Sequence, residues 1–118
     1  MTEQLARLRI DDRGDVIVAD VRGELDISNA QATGEAIMAD VTNEVRGLVV
    51  DFAELEFLDS SGISMLFGLA RRLGERRQQL HVVAPRGDAV GRVLEIVEFD
   101  RAAPVHATLE DALAALSD

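Results

Sequence analysis

Apolar residues along this chain fall into two rhythms: short continuous or alternating runs, and longer segments in which they recur every three or four positions. Leu5 to Ile10 alternates, with Leu5, Arg7 and Arg9 set against Ala6, Leu8 and Ile10. Val16 to Val21 is rich in β-branched residues, and Asp11-Asp12-Arg13-Gly14 between the two runs is turn chemistry. The pair predicts an antiparallel hairpin. Gly23-Glu24-Leu25-Asp26 follows, with Gly23 suited to end a strand and Asp26 to sit in the turn before a helix. Thr33, Ile37, Val41 and Val45 lie four apart and predict a helix ending near Asn43 to Arg46, with Ser28 and Asn29 as candidate caps. Gly47 then breaks it. Leu48-Val49-Val50-Asp51-Phe52 is nearly all apolar, the pattern of a central strand covered on both faces.

A second helix is predicted to start near Ser61, with Ile63, Leu66, Phe67, Ala70 and Leu73 at helical spacing and Arg71, Arg72, Arg76 and Arg77 towards its end, where cations suit the helix dipole. Leu80 to Ala84 reads as a strand stopped by Pro85, and Val90, Val93, Leu94 and Val97 mark a third helix. A short extended piece, Pro104-Val105-His106, precedes a last helix with Leu109, Ala112, Leu113 and Leu116 on one face and a capping-box-like start at Thr108. The predicted order is β-β-α-β-α-β-α-(β)-α. Residues 48–84 form a strand–helix–strand unit, expected to be a right-handed parallel crossover. The expectation is one α/β domain over residues 1–118, with a mixed sheet of four to five strands and about four helices.

Composition narrows the function. The chain has 118 residues, 47% hydrophobic and 29% charged, which suits one globular domain. Aromatics are only 3%, with no Trp or Tyr, so the core is built from Val, Ile, Leu and Ala, and stacking platforms for single-stranded nucleic acid are missing. A net charge of −10 argues against a phosphate-backbone partner and against an anionic membrane surface. No Cys is present, which excludes disulfides, thiolate metal sites and Cys nucleophiles. The N-terminal residues lack a basic start followed by an apolar run, and no apolar stretch approaches the roughly 18 residues that span a bilayer. A cytoplasmic location is expected.

Candidate chemistry concentrates at Phe57-Leu58-Asp59-Ser60-Ser61-Gly62-Ile63, where the chain enters the second helix. A helix start carries unpaired N–H groups and partial positive charge, so it favours an anion. A serine there is a cap, a nucleophile or a phosphoryl acceptor. The nucleophile reading lacks support: the Gly-x-Ser-x-Gly elbow is absent, and His81 and His106 are the available bases, with His81 inside a strand. No phosphate-binding glycine loop exists, and no Lys exists to reach a phosphate, so the chain is not expected to be an ATPase, a kinase or any other enzyme. Asp51, Glu54, Glu56 and Asp59 are close in sequence but read as a solvated acidic rim rather than a metal site; no metal and no cofactor are expected. Capping by Asp59 or a neighbouring serine remains open beside the acceptor reading.

Taken together, Gly23-Glu24-Leu25-Asp26, Val49-Val50-Asp51-Phe52 and Phe57-Leu58-Asp59-Ser60-Ser61-Gly62-Ile63 resemble the signature of STAS domains, and more specifically of bacterial anti-sigma-factor antagonists. The similarity runs from about Leu5 to Leu116. It implies that Ser60, with Asp59 beside it, is phosphorylated by an anti-sigma factor with serine kinase activity. It implies that the unphosphorylated form binds that kinase and frees a sigma factor, and that a PP2C-type phosphatase resets the switch. It places the partner surface at Asp26, Asp59, Ser60, Ser61, Gly62 and Ser64, on a monomer or weak dimer. The family often has Pro at the start of the first helix, where this chain has Ser28-Asn29-Ala30-Gln31-Ala32. The alternative within the resemblance is a non-switching STAS scaffold in a stress-signalling complex or a lipid-transport system.

Overall fold

The computed structural model describes residues 6–116. Among these, six strands and four helices follow in the order β1 (Ala6–Asp12), β2 (Val16–Leu25), α1 (Ala30–Ala39), β3 (Gly47–Asp51), β4 (Leu55–Leu58), α2 (Ser60–Glu75), β5 (Gln79–Val83), α3 (Ala89–Ile96), β6 (Val105–His106) and α4 (Leu109–Leu116), with a 3-10 turn at Phe99–Arg101. Leu5, expected in the first strand, lies outside the described residues. The sheet is mixed. β1 pairs β2 antiparallel, while β2–β3, β3–β5 and β5–β6 are parallel. The strand–helix–strand unit therefore joins parallel neighbours, as its apolar runs predicted.

Alternation along the central strands sends side chains to two faces. Ile17, Ala19, Val21, Leu48, Val50, Leu80 and Val82 pack into one core with Ile37 of α1, Leu66, Leu69 and Leu73 of α2, and Val90 and Leu94 of α3. Val16, Val18, Val49 and Val83 pack on the other face against Ala112 and Leu116 of α4. This two-sided burial is why β3 reads as an unbroken apolar run. Without Trp or Tyr, the largest buried rings are Phe52 and Phe99, and Phe67 meets Phe99 edge to face at 4.9 Å between centroids.

Three elements differ from the sequence expectation. α1 ends at Ala39, short of Asn43. Val41 and Val45 are nonetheless buried, because the following loop folds back onto the core. That loop is tied to the end of α2: Arg76 Nη2 donates to the Val41 carbonyl and to Asn43 Oδ1, and the buried Gln78 amide donates to the carbonyls of Thr42 and Val45, both at 2.8 Å. β2 runs on to Leu25 instead of ending at Gly23. Gly23 sits within it at φ +92, where the register against β4 shifts, a backbone conformation that favours glycine. The third difference is β4, a strand where a loop was expected. β3 covers β2 only from Val16 to Asp20, and β4 takes up the remaining length by pairing with Gly23, Glu24 and Leu25.

Candidate functional site

Leu25 and Leu58 are parallel partners at the ends of β2 and β4. The residues that follow them, Asp26 and Asp59, therefore leave the sheet side by side at one edge. The Asp59 N–H donates to the Leu25 carbonyl at 3.2 Å, which locks the two exits together. Each aspartate then starts a helical turn.

At the second exit Asp59 holds an extended backbone, and its Oδ1 accepts from the N–H groups of Ser61 (2.8 Å) and Gly62 (3.2 Å). This is N-capping of α2 by a carboxylate, with the added benefit of negative charge at the positive end of the helix. The cap is therefore Asp59 rather than a serine. Ser60 is the first helical residue, exposed, and its hydroxyl makes no hydrogen bond among the described residues. Ser61 is half-buried and Ser64 exposed one turn on. Gly62 is buried: a Cβ there would run into the Leu58 side chain and lie 3.2 Å from Leu25 Cβ. Its contribution to the edge is thus to let α2 sit tightly on β2 and β4 and so place Ser60 and Ser61.

At the first exit Asp26 Oδ1 accepts from the Ser28 N–H (2.9 Å) and the Ser28 hydroxyl (2.6 Å). Asn29 reaches back, its Oδ1 accepting from the Asp26 N–H at 3.0 Å and its Nδ2 donating to the Glu24 carbonyl at 2.9 Å. The arrangement is a reciprocal capping box. Asn29 stands at the N-cap position of α1 as the sequence suggested, but its side chain makes no bond to the helix; Ser28 does not cap it, and the Asp26 carboxylate closes the turn just before it. Between Asp26 and Ser28, Ile27 is held out into solvent, 85% exposed. Sequence reasoning passed over Ile27; the available signal was a large apolar residue inside an otherwise polar turn.

The rest of the chemistry lies elsewhere. His81 is buried, its Nδ1 2.9 Å from His106 Nε2 and its Nε2 3.0 Å from Gln79 Oε1. Burial, with a smaller effect of His106, holds its pKa below the ordinary histidine value. The two imidazoles are thus engaged with each other and with an amide, not with a serine. Asp51, at the end of β3, is pushed up by burial and by the nearby Asp20, against the lowering effect of the Ala53 N–H and Arg22. Among the described residues no three His, Asp or Glu side chains are grouped to hold a metal ion, and no helix is long and apolar enough to cross a membrane. A depression of about 440 Å³ between α3, the 3-10 turn and β6 does not include the Ser60 edge.

Comparison with known proteins agrees with this architecture. The STAS domain family model matches residues 7–112. The anti-sigma-F factor antagonist RsfB of Mycobacterium tuberculosis is 33% identical over 102 residues, covering 86% of this chain and 82% of RsfB. A crystal structure of an anti-sigma factor antagonist from Mycobacterium paratuberculosis superposes with a TM-score of 0.84 at 33% identity, over 96% of this chain and 95% of that one. The Bacillus cell fate determinant SpoIIAA in its phosphorylated form shares the fold, with a TM-score of 0.66 at 20% identity over 92% of this chain and 98% of that one. The chain belongs to the STAS domain family, and within it to the anti-sigma-factor antagonists.

Proposed function

We propose that this chain is an anti-sigma-factor antagonist whose partner is an anti-sigma factor with serine kinase activity, and that phosphorylation of Ser60 ends the interaction. One observation carries the reading. Asp59 takes over the capping of α2, so the Ser60 hydroxyl beside it is exposed and has no structural task. Asp26, Asp59, Ser60, Ser61 and Ser64 then form the contact edge, with Gly62 beneath it. The names of RsfB and of the Mycobacterium paratuberculosis protein support an anti-sigma factor as the partner.

The chemistry is a phosphoryl transfer. Ser60 Oγ bonds to the γ-phosphorus of ATP, the bond from that phosphorus to the β–γ bridging oxygen breaks, ADP leaves, and the hydroxyl proton passes to a base on the kinase. The kinase brings Mg²⁺ and the nucleotide pocket. The product places about −1.5 to −2 charges beside two aspartates. The α2 N-terminus offsets part of that charge, so the fold persists while the contact edge becomes strongly anionic. A PP2C-type phosphatase would restore the hydroxyl. The chain itself acts as a regulator in the cytoplasm and not as an enzyme.

Mass spectrometry after incubation with the anti-sigma factor and Mg-ATP tests the site. One phosphate on Ser60 is expected; phosphate elsewhere, or none on a protein that binds, overturns the assignment. Ser60→Asp should weaken binding while leaving the melting temperature nearly unchanged, and equal affinity would remove the repulsion argument.

A further inference from the structure

A groove of about 510 Å³ runs between α1 and α2. Its α2 wall is Ser61, Ser64, Met65, Gly68, Arg71 and Arg72. These positions are three and four apart, one face of a helix, spanning roughly 16 Å at 1.5 Å per residue. The groove opens at the proposed contact edge, beside Ile27 and Ser61, and continues well past it.

Three features of the groove are used in no packing contact or ion pair among the described residues. Ile27 stands 85% exposed at its mouth. Gly68 lies in the middle of a 16-residue helix, where glycine weakens helix formation relative to alanine. A Cβ at Gly68 would meet nothing within 4 Å, so no internal packing asks for glycine there. Gly34 differs: a Cβ at that position would lie 2.7 Å from Met65 Cγ, which marks where the two helices already touch. At the far end, Arg71 and Arg72 are exposed and make no ion pair among the described residues, in a chain of net charge −10.

We infer that the groove seats an acidic segment of the anti-sigma factor. An aliphatic side chain of that segment fills the space over Gly68, one turn beyond Met65 from the mouth at Ile27, and carboxylates meet Arg71 and Arg72. The inference rests on the partner proposed above, and adds a second anchor remote from Ser60. Arg71 and Arg72 outweigh the single carboxylate of Glu35 on the α1 wall, so the groove is net positive and selects an acidic segment against the negative bulk of the chain, where like charges repel. The open floor at Gly68 sets the size of the side chain admitted.

Calorimetric titration with the purified anti-sigma factor tests this, using Gly68→Leu, the double variant Arg71→Glu/Arg72→Glu, and Ser60→Asp. Gly74→Ala, on the same helix in open space, reports the effect of a glycine replacement outside the groove. Gly68→Leu should bind at least tenfold more weakly while melting no lower than the wild type. The double variant should also lose at least tenfold at low salt, with the deficit shrinking towards 0.5 M salt as exposed charges are screened. Wild-type affinity in both groove variants, with Ser60→Asp impaired, overturns the groove and leaves the Ser60 edge standing. Impaired groove variants with a fully binding Ser60→Asp support the groove and overturn the switch. Wild-type affinity in all three overturns both.

Discussion

The two exits from the sheet are built alike and used differently. Each has an aspartate at the end of a parallel strand, and each aspartate accepts from the N–H two residues on, Ser28 in one and Ser61 in the other. In each the residue between is pushed outward. At the first exit that residue is Ile27, and at the second it is Ser60. The aspartate of the first exit also binds the hydroxyl of its serine at 2.6 Å, whereas the hydroxyl of Ser60 is left alone. A serine in such a turn is structural or available according to a shift of one position relative to the capping carboxylate. The pairing of Leu25 with Leu58 then sets an exposed apolar side chain and an exposed hydroxyl next to each other.

The largest test of this comparison is at the third position after each aspartate, Gly62 against Asn29. Gly62→Ala should cost about 1–3 kcal/mol through the overlap with Leu58 and Leu25, seen as a lower urea midpoint. Asn29→Ala loses its hydrogen bonds to Asp26 and Glu24 and should cost about 1 kcal/mol. An unchanged midpoint for Gly62→Ala would show that α2 is not seated as tightly as described. Next come the caps. Asp59→Ala should lose about 1 kcal/mol and Asp59→Asn almost nothing, since asparagine caps equally well. If Asn fails to rescue, the carboxylate charge matters more than the hydrogen bonds.

A smaller contrast separates the serines. Ser28→Ala gives up a short hydrogen bond and should cost about 0.5–1.5 kcal/mol. Ser60→Ala should stay within about 0.5 kcal/mol of the wild type. Equal losses would erase the distinction between a structural and an available serine. The smallest effect is a pH control away from both exits. His81 has a lowered folded pKa, so below about pH 6.5 the unfolded chain takes up a proton that the folded one resists. The contribution of His81 is thus full above that pH and lost as pH falls. Thermal melts of Asp59→Ala and wild type should decline in parallel there; a pH-dependent gap between them would tie His81 to the edge.

Much of this was legible in the sequence, and the gaps have physical causes. β3 and β5 announce themselves because burial on both faces demands continuous apolar residues. β4 did not, since Leu55-Glu56-Phe57-Leu58 is four residues long, buries only its ends and leaves Phe57 exposed. It forms because β2 overhangs β3 and its backbone needs a partner, a tertiary demand that no local pattern records. The spacing of Val41 and Val45 continued the rhythm of α1 past its true end, since burial in a loop pinned by Arg76 and Gln78 looks the same in one dimension. Asp59, Ser60 and Gly62 could be picked out by residue type, but which of them caps, which is exposed and which is buried required coordinates. The groove was invisible because Gly68 signals only by what it lacks.

The outward position after each aspartate has a consequence for how such regulators diversify. Neither the Ser60 hydroxyl nor the bulk of the Ile27 side chain is used by the fold, so substitutions at position 27 sit nearly outside the stability threshold that constrains the core. If the proposed partner touches position 27, drift at that one site separates related chains by partner while leaving Ser60 beside it untouched. Insulation between paralogues then evolves without a cost in folding.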